Sequence, residues 1–111
     1  MYKRDDSLGS VEHIVLLAVM RLGKDAYGIT VLREIERIAG RNLSIGTVYA
    51  TLSRLESKGF VKSSTGEPTA ERGGRAKRYF RVTADGKSAV CRAQESILRM
   101  SCGLADLQLG K

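Results

Sequence analysis

For most of its length this chain places apolar residues with a helical rhythm. Between Ser10 and Leu22, the residues Val11, Ile14, Val15, Leu17, Ala18 and Leu22 recur three and four positions apart, which predicts a buried first helix with Ser10 as its N-cap. Gly23, Lys24 and Asp25 break that pattern. A second helix is expected from about Ala26 to Ala39, with Tyr27, Val31, Leu32, Ile35 and Ile38 inward and Arg33, Glu34, Glu36 and Arg37 outward; Gly40 ends it. The short connection Arg41 to Ser44 leads into a third helix, capped by Ser44 and stopped at Gly59, where a left-handed C-terminal cap belongs.

After Gly59 the period shortens. Phe60 to Ser64 and Lys77 to Val82 read as two strands, and Gly66, Pro68, Gly73 and Gly74 between them are turn formers, so the segment predicts a β-hairpin with a long tip. Alternation puts Tyr79 and Arg81 on one face of the second strand and Phe80 and Val82 on the other. Thr83 then caps a last helix from Ala84 onward. Along that helix Val90, Ala93, Ile97, Met100, Leu104 and Leu107 form a heptad-like seam, for which a second copy of the chain is the expected partner and packing onto its own domain the alternative. Gly103 costs roughly 1 kcal/mol relative to Ala inside a helix and can end it early.

The length of 111 residues fits one domain, and 42% apolar with 28% charged residues is the composition of a folded protein, not of a disordered tail. The longest apolar run, Ile14 to Met20, has seven residues. A membrane-spanning helix needs roughly 20. Lys3 and Arg4 precede that run, but Asp5, Asp6, Glu12 and His13 intervene and no small-residue cleavage site follows, so a cytoplasmic location is expected.

The net charge of +7 is unevenly placed. Residues 41–81 hold nine bases (Arg41, Arg54, Lys58, Lys62, Arg72, Arg75, Lys77, Arg78, Arg81) against Glu56, Glu67 and Glu71, whereas the segments on either side are close to balanced. A basic field on one contiguous segment suits a polyanion, because each neutralised phosphate releases condensed counterions. A solvated basic surface is the plainer alternative.

The third helix has two chemically distinct sides. Ile45, Val48, Leu52 and Leu55 form a buried stripe, and Gly46, Thr47, Ala50, Thr51, Ser53, Arg54 and Lys58 form the outer side, with Tyr49 on the border. A helix that enters the major groove, about 12 Å wide, needs short outward side chains near its N-terminus, and Ser44, Gly46 and Thr47 meet that need. An ordinary amphipathic helix with a small exposed side is the alternative. The short turn before it fits a helix-turn-helix. The hairpin that follows adds a wing, whose basic residues Arg72, Arg75, Lys77 and Arg78 can reach phosphates beside the recognition helix. The expected fold is therefore mainly α with a small β-hairpin: a winged helix-turn-helix of three helices and a two-stranded wing over residues 1–83. A C-terminal dimerisation helix over 84–111 belongs to the same compact unit. A two-fold dimer would set its recognition helices about 34 Å apart, over an imperfect palindrome.

These residues resemble a known family. The runs Val11 to Leu22, Ala26-Tyr27-Gly28-Ile29, Leu43 to Val61 with its Gly-Thr-x-Tyr-x-x-Leu-x-x-Leu-x-x-x-Gly core, and Gly73 to Gly86 with its Tyr-x-x-x-Thr-x-x-Gly ending are similar to the PadR family of bacterial transcriptional regulators over about residues 8–90. The resemblance implies a winged helix-turn-helix dimer that usually represses promoters and is released in some members by small aromatic or drug-like ligands. Carried over by position, Ser44, Thr47 and Tyr49 fall on the recognition helix, Arg75, Lys77 and Arg78 on the wing, and Tyr27 near the start of the helix before the turn. The chain has no Trp, so the tryptophan-lined dimer pore of some members has no counterpart here, and its short last helix resembles the short branch of the family.

Other chemistry finds little support. His13, the sole histidine, has no metal-ligand partner at useful spacing and reads as structural. Cys91 and Cys102 lie roughly 16 Å apart along a helix, too far for an intrachain disulfide, and read by default as small buried apolar residues; a redox role between symmetry mates is the alternative. No catalytic or phosphate-loop arrangement is present, so neither an enzyme nor a cofactor is expected. The expected partners are double-stranded DNA, a second copy of the chain and, through the resemblance, a small-molecule effector. The expected contact set for DNA is Tyr27, Ser44, Gly46, Thr47, Tyr49, Ala50, Arg54, Arg72, Arg75, Lys77 and Arg78. The competing function is a winged-helix module that uses its hairpin to bind an acidic protein.

Overall fold

The computed structural model describes residues 8–66 and 77–104. Helix α1 spans Ser10–Leu22. Its N-cap is Gly9, one residue before the expected Ser10, because the capping oxygen comes from Glu12: Glu12 Oε1 accepts the Gly9 N–H at 3.0 Å. Gly23, at φ 59°, ends the helix and opens a 3-10 turn over Gly23–Asp25. Helix α2 spans Gly28–Ala39, starting two residues later than the apolar pattern suggests. Ala26 and Tyr27 are extended instead, since the Ala26 carbonyl accepts the Phe80 N–H at 2.9 Å and Tyr27 makes a single antiparallel bridge to Tyr79. Thr30 Oγ1 then accepts the Tyr27 N–H at 2.9 Å and starts the helix. Gly40, at φ 66°, adopts the left-handed conformation that closes α2.

Helix α3 spans Ile45–Ser57, with Ser44 as its N-cap as expected: Ser44 Oγ accepts the Thr47 N–H at 3.0 Å. The hairpin follows as β1 (Val61–Thr65) and β2 (Arg78–Val82), antiparallel, with Val61 opposite Val82 and Thr65 opposite Arg78. Phe80 and Val61 are buried while Lys62 and Arg81 are exposed, as alternation demands. Tyr79 lies on the outer side but is half-buried, because Tyr27 covers it.

One core joins these elements: Val15, Leu16 and Val19 of α1, Val31 and Ile35 of α2, Val48, Leu52 and Leu55 of α3, Val61 and Phe80 of the hairpin, and Ala89 and Val90 of helix α4. Helix α4 spans Ala84–Ser101, with Thr83 Oγ1 accepting the Gly86 N–H at 3.1 Å. Gly86 is required there, since a Cβ would run into the Phe60 carbonyl oxygen and stand 2.7 Å from Val82 Cγ1. The seam expected on α4 divides at this point. Val90 is only 5% exposed and belongs to the domain's own core, which corrects its assignment to a dimer contact. Ala93 is half-buried, and beyond it the same side of α4 passes the edge of the globule, leaving Ile97 and Met100 exposed at 64% and 79%; Leu104, expected on the same seam, is exposed at 55% but lies past the end of the helix. The helix stops at Ser101, and Gly103 takes φ 84°. Leu107 lies outside the described residues. Among the described residues no helix is long and apolar enough to cross a membrane.

Candidate nucleic-acid interface

The N-terminal half of α3 presents Ser44, Gly46, Thr47, Tyr49 and Ala50, all exposed, with Ser53 and Arg54 further along. Ser44 Oγ donates to Thr47 Oγ1 at 2.9 Å while capping the Thr47 N–H, so both hydroxyls are fixed at the start of the helix. Amides of a first helical turn lack intrahelical acceptors and carry the positive end of the helix dipole. Two residues assigned to the outer side are not on it. Thr51 is fully buried, its hydroxyl donating to the Thr47 carbonyl at 2.7 Å. Lys58 is half-buried and donates to both carboxylate oxygens of Glu12 at 3.0 and 3.1 Å. Thr51 and Lys58 are seven residues apart and so share a flank of α3, the flank that faces the first turn of α1.

Glu12, missing from the expected site, organises that flank. Its carboxylate takes the Gly9 amide, the Lys58 ammonium and, at 3.6 Å, the Nε of Arg54. Burial pushes the Glu12 carboxyl up, but those three partners outweigh it and hold it below the ordinary carboxylate range. Arg54 stays more than half exposed at 57% and donates from Nη2 to Thr51 Oγ1 at 3.3 Å. On α2, Glu34 is bound by Arg21 of α1 at 2.8 Å and by Arg37 at 2.9 Å, which hold its carboxyl low as well.

Tyr49 links α3 to the wing. Its ring lies on the backbone of Gly28, at the first turn of α2, where a Cβ would stand 2.6 Å from Tyr49 Cε1. Next to Gly28, the ring of Tyr27 meets that of Tyr79 edge to face, with centroids 5.4 Å apart. Lys77 Nζ lies 4.4 Å from the Tyr27 ring centroid and 3.3 Å from its hydroxyl. A run of contacts thus joins α3 to the base of the wing through Tyr49, Gly28, Tyr27 and Lys77. Arg78, expected on the wing surface, turns toward α3 and donates to Glu56 Oε1 at 2.8 Å and Ser63 Oγ at 3.1 Å, bracing β2 against the helix. Arg72 and Arg75 fall outside the described residues.

An open groove of about 680 Å³ runs between the end of α1, the Gly23–Asp25 turn, β2 and the start of α4, lined in part by Val19, Met20, Lys24, Tyr79, Arg81 and Lys87. Among the described residues no cluster of His, Cys, Asp and Glu fits a metal ion. Cys91 and Cys102 are both exposed and free, which corrects the expectation that they are buried.

Comparison with known proteins agrees with this architecture. The transcriptional regulator PadR-like family matches residues 16–92. An uncharacterized protein of Lysinibacillus sphaericus is 31% identical over 90 residues, 79% of this chain and 78% of that protein. Among solved structures, a transcriptional regulator from Clostridium thermocellum is 25% identical with a TM-score of 0.70, covering 82% of this chain and 85% of that one. RosR of H. salinarum is 25% identical with a TM-score of 0.66, covering 91% and 84%. A PadR family regulator from Eggerthella lenta, 21% identical with a TM-score of 0.68 and covering 88% and 83%, shares the fold. With the family pattern running from α1 into α4 and the winged three-helix architecture beneath it, this chain belongs to the PadR-like family of transcriptional regulators.

Proposed function

We propose that the chain is a sequence-specific DNA-binding repressor that works in the cytoplasm as a homodimer on an imperfect palindrome. The observation that carries this reading is the run of contacts from α3 to the base of the wing, Tyr49 on Gly28 and Lys77 over Tyr27, with the short side chains of Ser44, Gly46, Thr47 and Ala50 exposed on the helix that carries Tyr49. In this reading the short side chains meet base edges in the major groove, and Tyr27, Tyr49, Lys77 and Arg78 meet the sugar-phosphate backbone, with Arg54, held at Glu12, at the margin of that contact and Arg72 and Arg75 at the wing tip. Dimerisation uses the exposed apolar side of α4, Ile97 and Met100, with Ala93 at its edge and Leu104 just past the helix end. The repressing sign is taken over from the family resemblance. A small-molecule effector has a candidate seat in the groove beside β2, whose volume falls in the range typical of ligand pockets.

Selection from a random duplex pool, followed by a salt series on the selected duplex, tests the reading. The expected result is a preferred inverted repeat bound roughly 10³-fold or more above unrelated duplex, with log affinity falling by about 0.9 per log salt for each phosphate neutralised. A flat salt response with no preferred duplex would favour the protein-interaction module.

A further inference from the structure

Glu12 is 7% exposed, and its charge is directed at α3, across 46 residues of sequence, not at solvent. A buried ion pair is a weak source of stability, because desolvating both charges consumes much of the Coulombic gain. Its geometry here does something more specific. From Glu12 a line of polar contacts runs along one flank of α3: Arg54 Nε at 3.6 Å, Arg54 Nη2 to Thr51 Oγ1 at 3.3 Å, Thr51 Oγ1 to the Thr47 carbonyl at 2.7 Å, and Ser44 Oγ to Thr47 Oγ1 at 2.9 Å. The first turn of α1 is thereby joined to the first turn of α3. Of the two cations in the C-terminal half of α3, Lys58 is held off the outer side, with its side chain 25% exposed, while Arg54 is tethered at its edge.

We propose that Glu12 is a positioning residue for DNA recognition: it withholds Lys58 from the phosphate backbone and holds Arg54 in one orientation, so that discrimination is left to the short side chains of Ser44 to Ala50. This rests on the DNA-binding reading above. The reason is electrostatic. A cation that reaches a phosphate adds the same favourable term on every sequence, about 0.9 in the salt slope, and so raises affinity for wrong duplexes along with the right one. An internal carboxylate that occupies such cations competes with phosphate for them and lowers that uniform term.

The test compares Glu12→Gln, the double variant Glu12→Gln with Lys58→Met, and that double variant carrying Arg54→Ala, on a selected duplex and a scrambled one across a salt series. Gln keeps the shape of the side chain and an acceptor for the Gly9 amide. The double variant removes both buried charges, so it folds even where the single variant is destabilised by an unmatched ammonium. The single variant should steepen the salt slope by up to about 1.8 and the double variant by about 0.9. Affinity for the selected and the scrambled duplex should rise together at low salt in both, and adding Arg54→Ala should return the slope to the wild-type value. A folded double variant with wild-type slope overturns the proposal and leaves Glu12 as a staple between α1 and α3. A wild-type chain indifferent to salt and sequence is a different failure, of the DNA reading itself, and the proposal falls with it.

Discussion

The ring of Tyr49 rests on the backbone of Gly28, so that the recognition helix and the first turn of α2 touch without an intervening side chain. A β-carbon at residue 28 would overlap the ring, but the ring is the far end of a side chain 47% exposed and can swing aside. Gly28→Ala should therefore cost less than about 1 kcal/mol in stability, below the usual range for overpacking, and show its main effect as weakened DNA binding. Gly86→Ala meets backbone instead, at the Phe60 carbonyl, and should cost about 1–3 kcal/mol. Chemical denaturation of the two variants checks the contrast, and equal costs would mean that the Tyr49 ring is as immovable as the backbone.

The two ends of the α4 stripe should respond differently. Val90→Ala removes two buried carbons and should lower stability by about 1.5–3 kcal/mol with the oligomeric state unchanged. Ile97→Glu places a charge on an exposed apolar side and should yield monomers of near-native stability, read by sedimentation. A dimer that survives Ile97→Glu would locate the interface elsewhere.

Base-reading and phosphate contacts separate in the same way. Lys77→Ala should weaken binding about equally on all duplexes and reduce the salt slope by about 0.9, whereas substitutions at Thr47 should change which duplex is preferred. Parallel selections on the two variants report both quantities. Loss of preference from both would defeat this division of roles.

Acid should act through Glu12. Its carboxyl is held below the ordinary value in the folded chain, so the unfolded chain takes up the proton first. The stabilising contribution is full above about pH 4.3, the ordinary glutamate value, and is lost as pH falls from there through the folded value. Glu34, held low by Arg21 and Arg37, works in the same direction, so the diagnostic quantity is a difference. Wild type minus Glu12→Gln stability, followed by denaturation, should be constant at neutral pH and shrink below about pH 4.3. A difference independent of pH would show that the Lys58 and Arg54 contacts do not depend on the carboxylate charge.

Much of the fold was legible in the chain because its signals are local. Ser44 and Thr83 cap the helices expected of them, Gly40 ends α2 with a left-handed residue, and strand alternation buries Phe80 while exposing Arg81. Each of these depends on residues within about one turn or one strand. The candidate interface was legible only in part. Ser44, Gly46, Thr47 and Ala50 are exposed as periodicity implies, but periodicity says nothing of Gly28 under Tyr49, nor of Glu12 as the partner of Lys58. The one available hint was the position of Glu12 three residues after Gly9, a spacing that suits a helix cap.

By itself the sequence determined which residues share a side of each helix, where helices start and stop, and that positive charge gathers on the segment from α3 to the wing. Tertiary structure alone decided how wide each exposed side is. Contact with Glu12 in the first turn of α1 took Lys58 off the surface of α3, packing buried Thr51 beside it, pairing with β2 drew Ala26 and Tyr27 out of α2, and the edge of the core fell between Val90 and Ile97 on α4. Helical periodicity fixes angles about one axis, whereas burial depends on which other elements approach that axis, and here those elements come from distant parts of the chain, as the Ala26 and Phe80 pairing across 54 residues does.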